Sequence, residues 1–211
     1  MTSIGTRLDR FWLKVLKRRL TPDGFLWKLR SFAPPSPQHV KTRILSSHSI
    51  DNAFWIETGT YLGDTTLNLS KIAKSVISIE PQIELSKFAE KRLKRYKNIK
   101  ILNSTSEECI VRTLDSLVGP VCFWLDGHYS GDVTYKGSAI SPILQELTAV
   151  STYVNKGNPV VVFIDDFRLF VNSASSGYPS HLSLVDWAFE NNLEWTVEHD
   201  IFIAKSNLFA V

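Results

Sequence analysis

Cysteine is scarce in this chain of 211 residues: only Cys109 and Cys122 occur, in neither a metal-type nor a redox-type spacing. That excludes a disulfide scaffold and a cysteine-based zinc module, and it reads as two reduced, buried thiols in a cytoplasmic protein. Long apolar runs are also missing, since no stretch approaches the roughly 18 to 20 residues that a membrane-crossing helix needs. A secretory leader is not expected, because Lys14, Lys17, Arg18 and Arg19 interrupt the first apolar stretch and no small-residue cleavage site follows. Internal repeats and low-complexity tracts are absent, which removes solenoids and fibrous proteins. What is present is a globular composition, 44% hydrophobic and 21% charged, on a chain long enough for one core with an appendage.

The net charge of +3 hides an asymmetry. Up to His48 there are ten Lys/Arg against two Asp/Glu; beyond it, fourteen against nineteen. The basic character therefore belongs to an N-terminal arm. The core lacks the clustered cations that neutralise a phosphate backbone, and no nucleic-acid partner is expected for it.

Residues 1–50 read as a basic helical arm and residues 51–211 as the main domain. In the arm, Leu8, Phe11, Trp12, Val15 and Leu16 recur at helical spacing from Thr6 to Leu20, ended by Pro22 and Gly24. Shorter helices are expected from Phe25 to Phe32 and from Gln38 to Ser46. Two readings of the arm stand: attachment to an anionic membrane surface through Phe11, Trp12 and their cations, or packing on the core as a lid or across a homodimer.

After Asp51 short β-rich runs alternate with helical patterns, the signature of a parallel sheet with crossover helices. Strands are expected at Ala53–Glu57, Ser75–Glu80, Ile99–Leu102, Val121–Asp126 and Pro159–Ile164. Helices are expected from about 64 to 73, 82 to 96, 107 to 117, 141 to 154 and 181 to 190. Glu194–Glu198 and Ile201–Lys205 close the chain as a hairpin. The fold class is α/β: a mostly parallel seven-stranded Rossmann-like sheet with an antiparallel C-terminal hairpin strand and helices on both faces.

In such sheets ligands bind beyond the carboxyl ends of the strands, where the chemically pointed residues fall. Glu57-Thr58-Gly59-Thr60-Tyr61-Leu62-Gly63-Asp64-Thr65 follows the first strand. Gly59 permits a tight turn and Gly63 a close helix approach, while Tyr61 breaks the G-x-G-x-x-G pattern of nicotinamide sites. Glu57 is placed to hold the ammonium of an amino-acid-like ligand. Glu80, at the second strand tip, can accept both hydroxyls of a ribose. Asn103, Ser104 and Ser106 offer hydrogen bonds to an adenine edge, although Ser106 before Glu107 and Glu108 also reads as a helix cap.

Asp126 ends the fourth strand, and Asp165 and Asp166 end the fifth. Three carboxylates so close repel one another and call for a cation, and a hard divalent ion such as magnesium meets that need while acidifying a substrate hydroxyl. The plainer reading is that Asp165 or Asp166 merely caps the following loop. Beside Asp126, His128 is a candidate general base and Lys136 the runner-up.

The segments ETGTYLGDTT, SVISIE, WLDGHYSGD and VVVFIDDF, in this order and spacing, resemble the class I methyltransferases. More narrowly they resemble the metal-dependent small-molecule O-methyltransferases of the catechol type and of the macrolide and aminocoumarin sugar type. The resemblance covers roughly Phe54 to Lys205. It implies S-adenosylmethionine as methyl donor and Mg2+ held by Asp126, Asp165 and Asp166. It also implies Glu57, Gly59, Tyr61 and Thr65 at the methionine end, Glu80 at the ribose, and Ser106 with Glu107 at the adenine. Where the catechol type carries a lysine base this chain has Tyr129, and its Asp165-Asp166 pair matches the sugar-modifying relatives. The expected acceptor is thus a hydroxyl on a sugar or natural-product-like small molecule. A metal-independent enzyme using Asp126 and His128, and a non-catalytic scaffold, are the alternatives.

Overall fold

A computed structural model of the chain describes residues 23–126, 141–171 and 178–207. The expected helix Thr6–Leu20, with Phe11 and Trp12, and the residues His128, Tyr129 and Lys136 lie outside the described residues.

Seven strands form one sheet in the order β3-β2-β1-β4-β5-β7-β6. They are β1 (Phe54–Thr58), β2 (Ser75–Ile79), β3 (Ile99–Leu102), β4 (Val121–Leu125), β5 (Val160–Ile164), β6 (Leu193–Glu198) and β7 (Ile201–Ser206). The first five are parallel; β7 runs antiparallel between β5 and β6. The described helices are α1 (Asp23–Leu29), α2 (Gln38–His48), α3 (Asp64–Leu69), α4 (Ile83–Leu93), α5 (Ser106–Asp115), α6 (Ile143–Asn155), α7 (Arg168–Val171) and α8 (His181–Glu190).

Side chains alternate across a strand, so a strand covered on both faces needs apolar residues at every position. Strand β4 meets that requirement. Val121, Phe123 and Leu125 pack with α5, α6 and α8, whereas Cys122 and Trp124 pack with α1, α2 and α3. Cys122 is a free, buried thiol, and burial pushes its pKa up to about 12. Helix α4 joins through a smaller cluster in which Leu85 meets Leu62.

Several elements differ from the expected spans for local reasons. Helix α1 ends at Leu29 because Ser31 and Phe32 adopt left-handed backbone (φ 52° and 63°). Helix α3 stops at Leu69, where Ser70 donates its amide back to Thr66. Gln82 stands outside α4 as its cap, accepting from the Glu84 amide at 2.6 Å. Thr105, rather than Ser106, precedes α5. The four-residue helix α7 was not expected at all.

The C-terminal part of the basic arm is built into the core. Trp27, Val40, Ile44 and Leu45 lie in the same apolar cluster as Trp55, Trp124 and Phe163. Gln38 donates to Thr65 at 2.9 Å, Asn68 to Thr42 at 3.2 Å, and His48 lies 2.9 Å from Glu198. Phe25, Leu26 and Leu29 remain exposed on α1, and Phe32 just beyond it. No helix among the described residues is long and apolar enough to cross a membrane.

Candidate functional site

The chain leaves β1 for β2 and β3 on one side, then returns to β4 on the other, so the switch point lies between the tips of β1 and β4. Register decides which face each tip residue serves. Glu57 pairs with Trp124 and therefore faces α2 and α3, whereas Thr58 pairs with Leu125 and faces α6. One residue further on, Asp126 and Asp165 return to the α2 side.

Glu57 is wholly buried. Its Oε2 accepts from Thr66 at 2.5 Å and Ser78 at 2.6 Å, while Oε1 has no partner. Burial pushes its pKa up to about 8, outweighing the two hydroxyl donors. Glu80 is also buried, with Oε2 accepting from the Tyr61 amide at 2.8 Å and Oε1 from the Gln82 amide at 3.0 Å. Burial raises its pKa despite those donors. Each of its oxygens keeps a lone pair for a further donor.

The loop after β1 is shaped by three residues in left-handed backbone, Gly59 (φ 86°), Tyr61 (φ 49°) and Gly63 (φ 78°). A side chain on Gly63 would sit 2.8 Å from Leu93, so it is helix α4 that demands glycine there. The amides of Gly59 and Thr60 donate to the Ile79 carbonyl, and that of Tyr61 to Glu80. These amides tie the loop to β2 rather than standing open toward a ligand. Arg92 of α4 braces the far side, donating to Leu62 O at 2.5 Å and Asp64 at 2.6 Å.

On the side where an adenine edge was expected, Asn103 donates to the carbonyls of Glu80 and Pro81, Ser104 reaches Glu108 at 3.2 Å, and Ser106 reaches Glu107 at 3.4 Å. Asn103 thus fixes the tip of β2. Thr65, expected at the methionine end, has its hydroxyl engaged by Gln38; its neighbour Thr66 serves Glu57 instead.

A pocket of about 240 Å³, including its open mouth, lies beyond β4 and β5. Asp126, Asp165, Ser141 and Glu146 line it, with Leu125, Ile164, Phe170 and Tyr178 as its apolar wall. Glu146 was not anticipated. It lies on α6 between Ile143 and Leu147, on the stripe that faces the sheet, and is 1% exposed. Its Oε1 has no hydrogen-bond partner, and burial pushes its pKa up to about 7. A glutamate within an apolar helical stripe was the signal that could have found it.

Two of the three carboxylates expected to hold magnesium, Asp165 and Asp166, are engaged by cations of the chain itself. Asp165 Oδ2 is paired with the ammonium of Lys41 from α2, leaving Oδ1 buried without a partner. Asp166, in left-handed backbone (φ 56°), turns to Arg168 at 2.8 Å, and Arg168 also binds Asp200. Among the described residues no three His, Cys, Asp or Glu side chains lie together in a way that could hold a metal ion. The cation the carboxylates require comes from the chain. Burial opposes the Lys41 ammonium, but Asp165, Asp126 and Asp166 outweigh it and raise its pKa. Burial and the charge of Asp126 push Asp165 upward in turn, beyond what Lys41 offsets.

No family model matches the chain, and no curated protein matches it. Solved structures do. A precorrin-6y C5,15-methyltransferase from Geobacter metallireducens GS-15 is similar at TM-score 0.52 and 13% identity, covering 82% of this chain and 91% of that one. The N-methyltransferase NodS from Bradyrhizobium japonicum WM9 gives 0.51 and 16%, covering 80% and 92%. A SAM dependent methyltransferase from Aquifex aeolicus gives 0.50 and 14%, covering 84% and 95%. At these identities the likeness is one of fold: the chain has the Rossmann-like methyltransferase fold, as its sheet order and antiparallel β7 require.

Proposed function

We propose that the chain is an S-adenosylmethionine-dependent methyltransferase acting on a hydroxyl of a sugar or natural-product-like small molecule. The observation that carries this reading is the gathering of unpartnered, buried oxygens at one end of the sheet: Glu57 Oε1, Thr58 Oγ1, Glu146 Oε1 and Asp165 Oδ1. A buried polar atom left unpaired costs about 1–3 kcal/mol, and a scaffold has no reason to leave four of them at one end of its sheet, two of them on residues that line the pocket beyond β4 and β5. The fold's solved neighbours are methyltransferases, which supports the same reading.

When bound, S-adenosylmethionine supplies an electrophilic methyl group on a sulfonium. Glu57 fits its ammonium, since a buried acid with one unpartnered oxygen accepts a charged donor whose positive charge lowers the acid's pKa, so that the carboxyl proton is released to solvent on binding. Glu80 fits the ribose diol, and Ser104, Ser106 and Glu107 stand on the adenine side. Acceptor binding falls to the pocket beyond β4 and β5. There Glu146 and Asp165 hold unpartnered oxygens, and Phe170 and Tyr178, packed edge to face, form the apolar wall. Asp126, between the two halves, is the residue proposed to orient the reacting hydroxyl, with His128 or Lys136 as its base. Most of the rate gain is alignment of that oxygen. Lys41 and Arg168 engage two of the carboxylates expected to hold magnesium.

Isothermal titration with S-adenosylhomocysteine tests the reading. Binding is expected to the unmodified chain and to be lost in Glu80→Ala. Equal affinity in the two proteins would sink the cofactor assignment.

A further inference from the structure

The carboxylates at the tips of β4 and β5 pose an electrostatic problem that is solved from a distance in sequence. Lys41 lies one turn inside α2, and its ammonium meets Asp165, 124 residues away, with side chains 15% and 3% exposed. Asp126 and Asp166 act on the same ammonium, and the Trp124 ring lies 5.7 Å from it. Nor is this a swinging surface lysine. Val40, Ile44 and Leu45 bury the helix on either side of it, and the Gln38–Thr65 and Thr42–Asn68 bonds fix its first turn to α3. Asp165 keeps a second oxygen, Oδ1, buried without a partner, and the residue lines the pocket.

We infer that Lys41 is the resident cation of this cluster: held by α2 against Asp165, it stands where a divalent ion would otherwise sit and makes the acceptor pocket self-sufficient in positive charge. Lys41 is thereby a positioning residue acting through Asp165. Its ammonium fixes the carboxylate through Oδ2, and it prevents metal entry by charge and by occupancy. The inference deepens the methyltransferase reading, resting on it only for the identity of the pocket.

The test uses the full-length chain and Mn2+, followed by the loss of the free-ion electron paramagnetic resonance signal. The unmodified protein is expected to show no saturable uptake. Lys41→Met, which keeps the aliphatic stem and removes the charge, is expected to gain one site per chain, tightened about tenfold or more by loss of the repelling cation. The double variant Lys41→Met with Asp165→Asn should lose that site, and Lys41→Arg should exclude the ion again. A lysine that merely packs α2 would change stability without admitting the metal. Saturable Mn2+ uptake by the unmodified chain that Asp165→Asn abolishes would overturn the inference, as would no uptake in folded Lys41→Met. Should Lys41→Met not fold, Lys41→Gln carries the same reading. S-adenosylhomocysteine binding, measured in parallel, reports separately on the cofactor: its absence would remove the methyltransferase reading while the Mn2+ result still decides the role of Lys41.

Discussion

Replacing Glu57 by glutamine is expected to stabilise the ligand-free protein at alkaline pH while removing its grip on an ammonium. Burial sets the folded pKa of Glu57 at about 8, against an ordinary value of 4.5. Between those values the folded chain retains a proton that the unfolded chain has released, so folding stability falls as pH rises across the window and levels off above it. From about pH 5.5 to about pH 8.5 this one group removes about 3 kcal/mol, from 1.36 kcal/mol per pKa unit over the part of the shift that lies inside the range. Glutamine does not titrate and still accepts from Thr66 and Ser78 through its carbonyl oxygen, placing its amide where Oε1 now lacks a partner. Urea unfolding of both proteins at the two pH values measures the effect. The unmodified chain should lose about 3 kcal/mol more than Glu57→Gln across the range, and S-adenosylhomocysteine should bind the variant more weakly. Parallel stability–pH curves for the two proteins would refute the reasoning, because they would mean that Glu57 is already ionised in the fold.

Glu146→Gln should behave in the same sense with a smaller amplitude. Its folded pKa is pushed only to about 7, so about 2 kcal/mol of pH-dependent loss should disappear from the same urea curves. Gly63→Ala should cost about 2–4 kcal/mol, combining left-handed strain with a side chain forced against Leu93. Gly157→Ala, also left-handed at φ 80° but with nothing within 4 Å, should pay only the strain, about 1–2 kcal/mol. Equal losses at the two glycines in denaturant titrations would count against the packing argument.

The sheet was legible because its signal is local. β3 was expected at its observed bounds, and the others erred by a residue where the chemistry of the end decides: Pro159 lacks an amide and β5 begins at Val160. Glu57, read as a strand tip, lies inside β1 with Thr58 as the true tip, which is why it is wholly buried. Gathering acids at the carboxyl ends of β1, β2, β4 and β5 followed from the alternation of strands and helices. Their partners did not. Lys41 meets Asp165 only because α2 folds back over the sheet, and no periodicity in residues 38–48 announces it. The turning away of Asp166 depends on a left-handed backbone and on Asp200, which arrives with the final hairpin.

That hairpin does more than complete the sheet. Its turn receives Ser36 on the His199 carbonyl, the Trp27 ring against His199, and His48 against Glu198, while Asp200 captures both the amide and the guanidinium of Arg168. One reversal of chain thus latches the helix that bears Lys41 and, separately, the loop that bears Asp166. Because β6 and β7 follow every other strand in chain order, a nascent or truncated chain lacking them would hold the acids of the pocket without the geometry that governs them.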